Sequence, residues 1–410
     1  MVETKFKVGQ GVNAGKDLSE IFKPGNSGIP INVIANGQDI GYQFKAIDSA
    51  LFPRTGSSYN TGYIVNGTDL CNKYAMTHDP DYSVTYTNCQ GSSSGIYNSV
   101  QLINSDNTGT CVITNNGVES KNLNFILIGG GGGGGAGNTG CGGGGAGGGA
   151  SIKAENLLLT GITKIDITIG NRGKGCSPAN RGNGLSTGGD GNNSLLTCYD
   201  NETVNFEVTV YGGKGGKGIG VVGPDAIGGF GGGIDFVNNL IVGTTVNGYV
   251  GSGGGGAEWN DTVNGLNKLE GGENGKYTGT TTSIIQNSIG SATNGNTNDA
   301  GNGGLGIMII TSEGLNIASG CGGGGGGMDT DPIGGAAAET ITTEITTLVA
   351  GIGGGQYSDR ADNRGGNAGV YNYGFGGGGG SGNGTKGAGV KVDPGIGGNG
   401  SNGVFIYWFS

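Results

Sequence analysis

Residues 122–151 read NLNFILIGGGGGGGAGNTGCGGGGAGGGAS, a mainly apolar stretch followed by two glycine blocks. The apolar part, residues 123–128, has the length and the residue types of a buried β-strand. It leads directly into the first glycine block, residues 129–135, and the second block occupies residues 142–149. This stretch predicts a strand that runs into ordered glycine.

The same arrangement recurs to residue 410. The other apolar strand candidates are residues 162–169, 204–211, 234–242, 305–311, 341–349 and 404–409. The other glycine blocks are residues 212–218, 253–256, 322–327 and 376–380. Since most strand candidates lead into a glycine block, the sequence predicts a mainly β fold of short strands and glycine segments over residues 122–410.

Glycine accounts for 101 of the 410 residues and proline for only 8. Collagen is excluded because the glycines lack a strict period of three and proline is scarce. Disorder usually accompanies high charge, whereas only 13% of these residues are charged. Fixing glycine costs roughly 0.5–1 kcal/mol more than fixing alanine, so these backbones order only when they are hydrogen-bonded to neighbours. We expect bundled polyglycine II helices, which have three residues per turn and direct every N–H and C=O outward.

Residues 1–80 carry a different repeat, with the pattern G-x-D-[LI]-x-x-x-[FY]. Each copy predicts a strand, a turn and one or two turns of helix, with the aspartate as N-cap. One copy cannot bury its apolar face alone, so we expect a small α/β head whose copies pack together or against another subunit. An ordinary small domain without a binding role is the alternative. The candidate assembly residues are Asp17, Leu18, Phe22, Asp39, Ile40, Phe44, Asp69, Leu70 and Tyr74.

Residues 81–121 lie between this head and the glycine-rich body, residues 122–410. They are rich in Ser, Thr and Asn, and residues 83–87 and 110–114 alternate as short strands do. We expect a β connector.

Residues 123–135, 142–151, 162–175, 208–218 and 403–409 resemble the glycine-rich domain of phage tail-fibre adhesins. The resemblance implies stacked polyglycine II helices tipped by variable receptor-binding loops. The N-terminal repeats are similar to repeats in glycine-rich structural proteins of large algal and amoebal DNA viruses. The two resemblances together cover most of the chain, although the Thr- and Asn-rich residues 278–302 have no counterpart in them.

The motifs of catalysis and cofactor binding are missing from the sequence. His78 is the only histidine, and no Gly-Lys pair is followed by the Ser or Thr of a Walker A motif. Asp329 and Asp331 suggest calcium, but solvated loop carboxylates are the simpler interpretation. We therefore expect no enzyme, no metal and no cofactor.

Charge and hydropathy restrict the partners. The net charge is −10 without a basic block, which indicates no nucleic-acid partner. No run of about 18 apolar residues predicts insertion into a membrane, and the N-terminus lacks an apolar signal core. We expect synthesis in the cytosol and arrival at an exterior by particle assembly or lysis.

The cysteines and the loop aromatic residues leave alternatives open. The seven cysteines lack C-x-x-C spacing, so buried thiols and disulfides both fit, with Cys89 and Cys111 as the most local pair. Exposed aromatic side chains suit recognition of a glycan or a protein, and burial at the ends of the bundle is the alternative. The candidate recognition residues are Phe230, Trp259, Tyr357, Tyr371 and Tyr373.

These patterns favour a non-enzymatic structural protein of a virion surface, either a fibre, a spike or a minor capsid component. Residues 1–80 would anchor it to other virion proteins or form a homo-oligomer, and the glycine-rich body would project. One alternative is a phage-type adhesin that binds a host surface glycan or protein. The other is a cell-made extracellular filament or ice-binding protein.

Overall fold

The structure is a computed structural model, and the fold that it describes is mainly β, as predicted. The described residues form strands and no helix. They divide between two compact units, residues 1–83 with 92–96 and residues 84–91 with 97–410. The described residues are 34–35, 38–39, 64–65, 68–69, 82–94, 96–115, 122–137, 142–176, 187–218, 227–237, 244–257, 270–279, 284–286, 292–295, 300–312, 314–327, 341–342, 347–348, 373–377, 379, 385–386, 390–391 and 395–410.

The first unit contains two short antiparallel pairs. β1 (Ile34–Ala35) pairs with β2 (Gln38–Asp39), and β3 (Ile64–Val65) pairs with β4 (Thr68–Asp69). An Asn-Gly dipeptide separates the strands of each pair in the sequence, and this dipeptide is favoured in two-residue hairpin turns. Two copies of the N-terminal repeat therefore each contain the same kind of hairpin, which ends at the aspartate of the repeat. The predicted helices, and the first copy with Asp17, lie outside the described residues.

Most strands of the second unit belong to two seven-stranded sheets. Sheet 1 consists of β6 (Cys89–Ser94), β7 (Tyr97–Leu102), β9 (Asn122–Ile128), β10 (Ser151–Leu158), β15 (Thr245–Tyr249), β17 (Ile284–Gln286) and β24 (Val404–Phe409). Sheet 2 consists of β5 (Tyr82–Thr87), β8 (Gly109–Asn115), β11 (Lys164–Ile169), β12 (Ser194–Asp200), β13 (Thr203–Val210), β14 (Ile234–Val237) and β16 (Tyr277–Gly279).

The order across sheet 1 is β17-β15-β10-β9-β24-β7-β6, and that across sheet 2 is β16-β14-β13-β12-β11-β8-β5. Strands β7, β24, β9, β10 and β15 pair antiparallel in this order in sheet 1, and β8, β11, β12, β13 and β14 do so in sheet 2. The pairs β14 with β16 and β15 with β17 are parallel. Short antiparallel pairs complete the described strands: β18 (Ile307–Ile310) with β19 (Asn316–Ser319), β20 (Ile341–Thr342) with β21 (Thr347–Leu348), and β22 (Thr385–Lys386) with β23 (Val390–Lys391). The prediction of one strand over residues 341–349 is therefore wrong, because two separate strands within this range pair with each other.

The centre of sheet 1, at β9 and β24, is buried on both of its faces. Ile126 and Trp408 lie on the face that the β18–β19 hairpin covers with Ile309. Phe125 and Phe405 alternate with these residues along β9 and β24, and both rings are fully buried. On that second face β9 and β24 lie across from β12 and β11 of sheet 2. Burial on both faces explains why β9 and β24 have nearly continuous apolar sequences.

Candidate functional site

The glycine-rich backbone between these strands is the distinctive feature of the second unit. Most of its segments adjoin a strand at one end and belong to no sheet. In chain order they are g1 (129–137), g2 (142–150), g3 (170–176), g4 (187–193), g5 (211–218), g6 (227–233), g7 (250–257), g8 (270–276), g9 (292–295), g10 (300–306), g11 (320–327), g12 (374–377) and g13 (395–403).

Segment g1 is hydrogen-bonded to neighbours on all sides. The N–H groups of Gly130, Gly131 and Gly132 donate to g4, g13 and g2 in turn, over 2.8–3.0 Å. Residues 133–135 repeat the same order of partners. The carbonyl groups of g1 accept from g3, g5 and g12. The partner of g1 therefore changes at each residue and returns every three residues.

Segment g2 follows the same rule. Its N–H groups donate to g5, g7 and g12 in rotation, and its carbonyl groups accept from g1, g6 and g11. The segments that surround g1 and g2 also bond one another, for example g5 to g6 and g7 to g11. We call this arrangement the glycine lattice.

The glycine lattice leaves no space for side chains around g1. A Cβ atom on Gly131 would lie 1.9 Å from the carbonyl oxygen of Phe375 in g12. The corresponding distances are 2.1 Å from Gly133 to Lys174 in g3 and 2.3 Å from Gly132 to Lys214 in g5. Real Cβ atoms essentially never approach another heavy atom within 3.0 Å. These positions require glycine because neighbouring backbones occupy the space of a methyl group.

Larger side chains mark the outer side of the glycine lattice. In g5 the exposed residues Lys214 and Lys217 are three residues apart, and Glu270, Glu273 and Lys276 have the same spacing in g8. This spacing matches the period of the hydrogen bonds, so these side chains lie on one side of each segment. The spacing of three between these charged residues is visible in the sequence and indicates the outer side of each segment.

The candidate recognition aromatics fall in different environments. Phe230 lies in g6 and is 49% exposed. Tyr373 is partly buried and packs against the cluster of Ile126 and Trp408. Its hydroxyl accepts a hydrogen bond from Gln101 Nε2 over 2.8 Å, and burial raises the pKa of this tyrosine. The surroundings of Tyr373 thus match the burial alternative. The other three, Trp259, Tyr357 and Tyr371, lie outside the described residues.

The described cysteines are buried thiols. Cys89 and Cys111 form no disulfide, although they were the most local candidate pair. Burial raises the pKa of Cys89 to about 11, and burial together with the nearby Cys89 raises that of Cys111 to about 12. Burial likewise raises the pKa values of Cys198 and Cys321 to about 12. These thiols stay protonated at neutral pH and are therefore poor nucleophiles and poor metal ligands.

Most glycine segments adjoin a strand at only one end, and a group of connections adjoins the other ends in the sequence. They are residues 138–141, 177–186, 219–226, 258–269, 296–299 and 380–394. Trp259 belongs to one of them. Apart from two-residue strands β22 and β23, these connections lie outside the described residues.

Within the described part of the chain, no group of three His, Cys, Asp or Glu side chains could hold a metal ion. None of the described residues belongs to a helix with the length and apolar character that crossing a membrane requires. Comparison with known proteins finds no family model and no curated protein that matches this chain.

Proposed function

We propose that this chain is a non-enzymatic structural protein of a virion surface, and that its glycine segments form a polyglycine II bundle. The observation that carries the proposal is the rotation of hydrogen-bond partners along g1 and g2, with its period of three residues. A polyglycine II helix has three residues per turn and no internal hydrogen bonds, so its successive N–H groups point to different neighbours.

A bundle of this kind suits a rigid body. Each hydrogen bond contributes about 0.5–1.5 kcal/mol net, and together these bonds offset the entropy lost when glycine is ordered. Enzyme pockets need side chains around a cavity. Around g1 an added Cβ would instead meet backbone atoms at about 2 Å, for example at Gly131 and Gly133. The geometry of the bundle therefore favours a mechanical role over a catalytic one.

The virion location is supported by the sequence resemblance to glycine-rich virion proteins and tail-fibre adhesins. We propose that residues 1–80 anchor the chain to other virion proteins or join copies into a homo-oligomer. The two hairpins that end at Asp39 and Asp69 make two copies of the repeat locally equivalent, which suits a repeated contact.

Immunogold electron microscopy of native particles, with antibody raised against residues 12–80, tests this location. Label on projecting fibres supports a fibre or spike, and label across the shell supports a minor capsid component. Absence of label from purified particles that carry other virion antigens would contradict the proposal and favour an extracellular filament.

A receptor-binding adhesin is the second candidate. The observation that favours it is that, in the sequence, residues 138–141, 177–186, 219–226, 258–269 and 296–299 follow segment ends that adjoin no described strand. Replacing residues 258–269, which include Trp259, by a Gly-Ser linker of equal length should abolish binding to host cells without changing the melting temperature. Unchanged binding would argue against recognition by this connection.

A further inference from the structure

Some N–H groups at the edge of the glycine lattice bond to side chains instead of carbonyl groups. The backbone N–H of Gly175 in g3 donates to Asn399 Oδ1 in g13 over 2.9 Å. The backbone N–H of Arg172 donates to Asn402 Oδ1 over 3.1 Å. The two donors are three residues apart, and so are the two acceptors, with g3 and g13 running in opposite directions. These two bonds therefore have the same period of three residues as the backbone bonds.

Segments g5 and g4 show the same pattern on another side. The backbone N–H groups of Gly215 and Gly212 donate to Asp190 Oδ1 and Asn193 Oδ1, over 2.8 and 3.1 Å. These acceptors are again three residues apart. The second oxygen of Asp190 accepts from Lys214 Nζ over 2.8 Å, which fixes the carboxylate against g5.

Two further bonds extend the pattern around the edge. Gly253 of g7 donates to Asn274 Oδ1 in g8 over 3.2 Å, and Gly271 of g8 donates to Asn294 Oδ1 in g9 over 2.8 Å. In every case the acceptor belongs to a segment that is adjacent to the donor segment. The side-chain oxygen occupies the place where, around g1, a third segment would supply a carbonyl group.

A row of N–H groups that point outward is a liability. An exposed row of backbone donors can pair with another chain, as the edges of β-sheets do. Asn and Asp have short side chains whose oxygens reach neighbouring backbone N–H groups. Such a side chain both satisfies the donor and covers it, so a further glycine segment finds no free donors.

We propose that Asp190, Asn193, Asn274, Asn294, Asn399 and Asn402 form a perimeter cap that closes the glycine lattice against a glycine segment of a second copy of this chain. This inference goes beyond the proposed structural role and holds whether or not the protein lies on a virion. It assigns the capped sides of the lattice a non-adhesive surface, and any homo-oligomer then forms through other residues.

The test uses the full chain with both caps of g3 removed, as the double variant Asn399→Ala/Asn402→Ala. We expect the self-association constant from sedimentation velocity to rise at least about tenfold, because the freed N–H groups of g3 can bond a second copy. The double variant Asn399→Asp/Asn402→Asp keeps both acceptor oxygens and should associate like the wild type. Asn205→Ala, a change of an exposed residue of β13, should do so as well.

Asn402 Nδ2 also donates to Ser105 Oγ over 3.0 Å, and Asn402→Ala removes this bond as well. The Ser105→Ala variant removes only this bond and therefore measures its effect alone. This variant should associate like the wild type. Hydrogen exchange at the Gly175 amide, read by mass spectrometry, should accelerate at least about tenfold in the alanine variant and not in the aspartate variant. The Asn193→Ala variant repeats the test on g5 with one substitution, should the double variant fail to fold.

Equal association of the folded alanine and aspartate variants would overturn the proposal. Faster exchange at Gly175 without stronger association would overturn it too, because the freed donors would then not attract a second copy. Stronger association of the alanine variants, together with weak association of the wild type and the aspartate variant, supports it.

Discussion

Replacing Gly131 by alanine introduces a methyl group at the centre of the glycine lattice. The new Cβ would lie 1.9 Å from the carbonyl oxygen of Phe375, whereas real Cβ atoms essentially never have a contact below 3.0 Å. Segment g12 must therefore move away by at least 3.0 − 1.9 = 1.1 Å. The Phe375 carbonyl accepts from Ser401 N–H over 2.9 Å, and Gly377 N–H donates to Gly132 over 2.9 Å. A shift of 1.1 Å along either bond stretches it to as much as 2.9 + 1.1 = 4.0 Å, beyond hydrogen-bond distance.

The expected loss of stability follows from these two bonds. Each buried group that loses its partner costs about 1–3 kcal/mol, and the overpacking itself costs about 1–3 kcal/mol. The free energy of unfolding of Gly131→Ala should therefore fall by at least about 3 kcal/mol. It is measured by urea denaturation, followed by far-ultraviolet circular dichroism.

Gly189→Ala is the matched control. It makes the same substitution in g4 at the edge of the lattice, where the nearest atom to the new Cβ is Lys174 N at 3.2 Å. Alanine also restricts the unfolded chain, so the change in unfolding free energy should stay within about 1 kcal/mol of the wild type. Equal stability of Gly131→Ala and Gly189→Ala would refute the close packing around g1 and would make the glycine segments flexible linkers.

Three further predictions concern other parts of the chain. The buried hydroxyl of Ser194 donates to a carbonyl of β9 and accepts from an N–H of g3, so Ser194→Ala should lower the unfolding free energy by about 2–4 kcal/mol. Ser312→Ala, at an exposed position, should change it by less than about 0.5 kcal/mol. Equal effects of the two variants in urea denaturation would contradict this prediction. Burial raises the pKa values of Cys198 and Cys321 to about 12, so their protonated forms contribute stability that is fully present below about pH 9. As the pH rises from 9 toward 12, the unfolding free energy should fall by up to about 1.4 kcal/mol per pH unit for each thiol. The Cys198→Ala/Cys321→Ala variant should show a flatter decline of the urea midpoint over this range, and an identical decline would sink the assignment. Deleting residues 1–80 should abolish attachment to particles and leave the melting temperature of the second unit unchanged; a large drop in that temperature would show that the head supports the body.

The strands that the sequence predicted best are those buried on both faces. Residues 123–128 and 404–409 have almost only apolar side chains, because β9 and β24 lie inside sheet 1 with a layer on each side. Their burial, and not their backbone preference, makes them visible in the sequence.

β10 shows why other strands were missed. Its residues Lys153, Ala154 and Glu155 favour helix over strand when taken alone. The pairing with β9 and β15 overrides this preference, and the Lys153 ammonium is kept paired by Glu155 Oε2 at 3.2 Å and by the Ile310 carbonyl at 3.2 Å. The paired strands and Ile310 are remote in the sequence, and Glu155 is recognisable as a partner of Lys153 only when both residues lie in a strand.

The lattice itself was expected from composition, but its layout was not. Which glycine segments are neighbours depends on the order of strands in the two sheets, and single-sequence patterns do not specify that order. The outer side of a segment, by contrast, can be predicted from the sequence, because Lys214 and Lys217 are three residues apart, as are Asn399 and Asn402. The perimeter Asn residues passed unnoticed because Asn is equally common in turns.

Amide hydrogen exchange of the full chain, read residue by residue across g1 and g2, tests the ordered glycine lattice most directly. The account predicts that residues 129–135 and 144–150, whose N–H groups are bonded within the chain, exchange orders of magnitude more slowly than unstructured glycine and as slowly as the core strand β9. Exchange of these amides at the rate of an unstructured peptide, with β9 still protected, would contradict it and show that the glycine segments are linkers between strands.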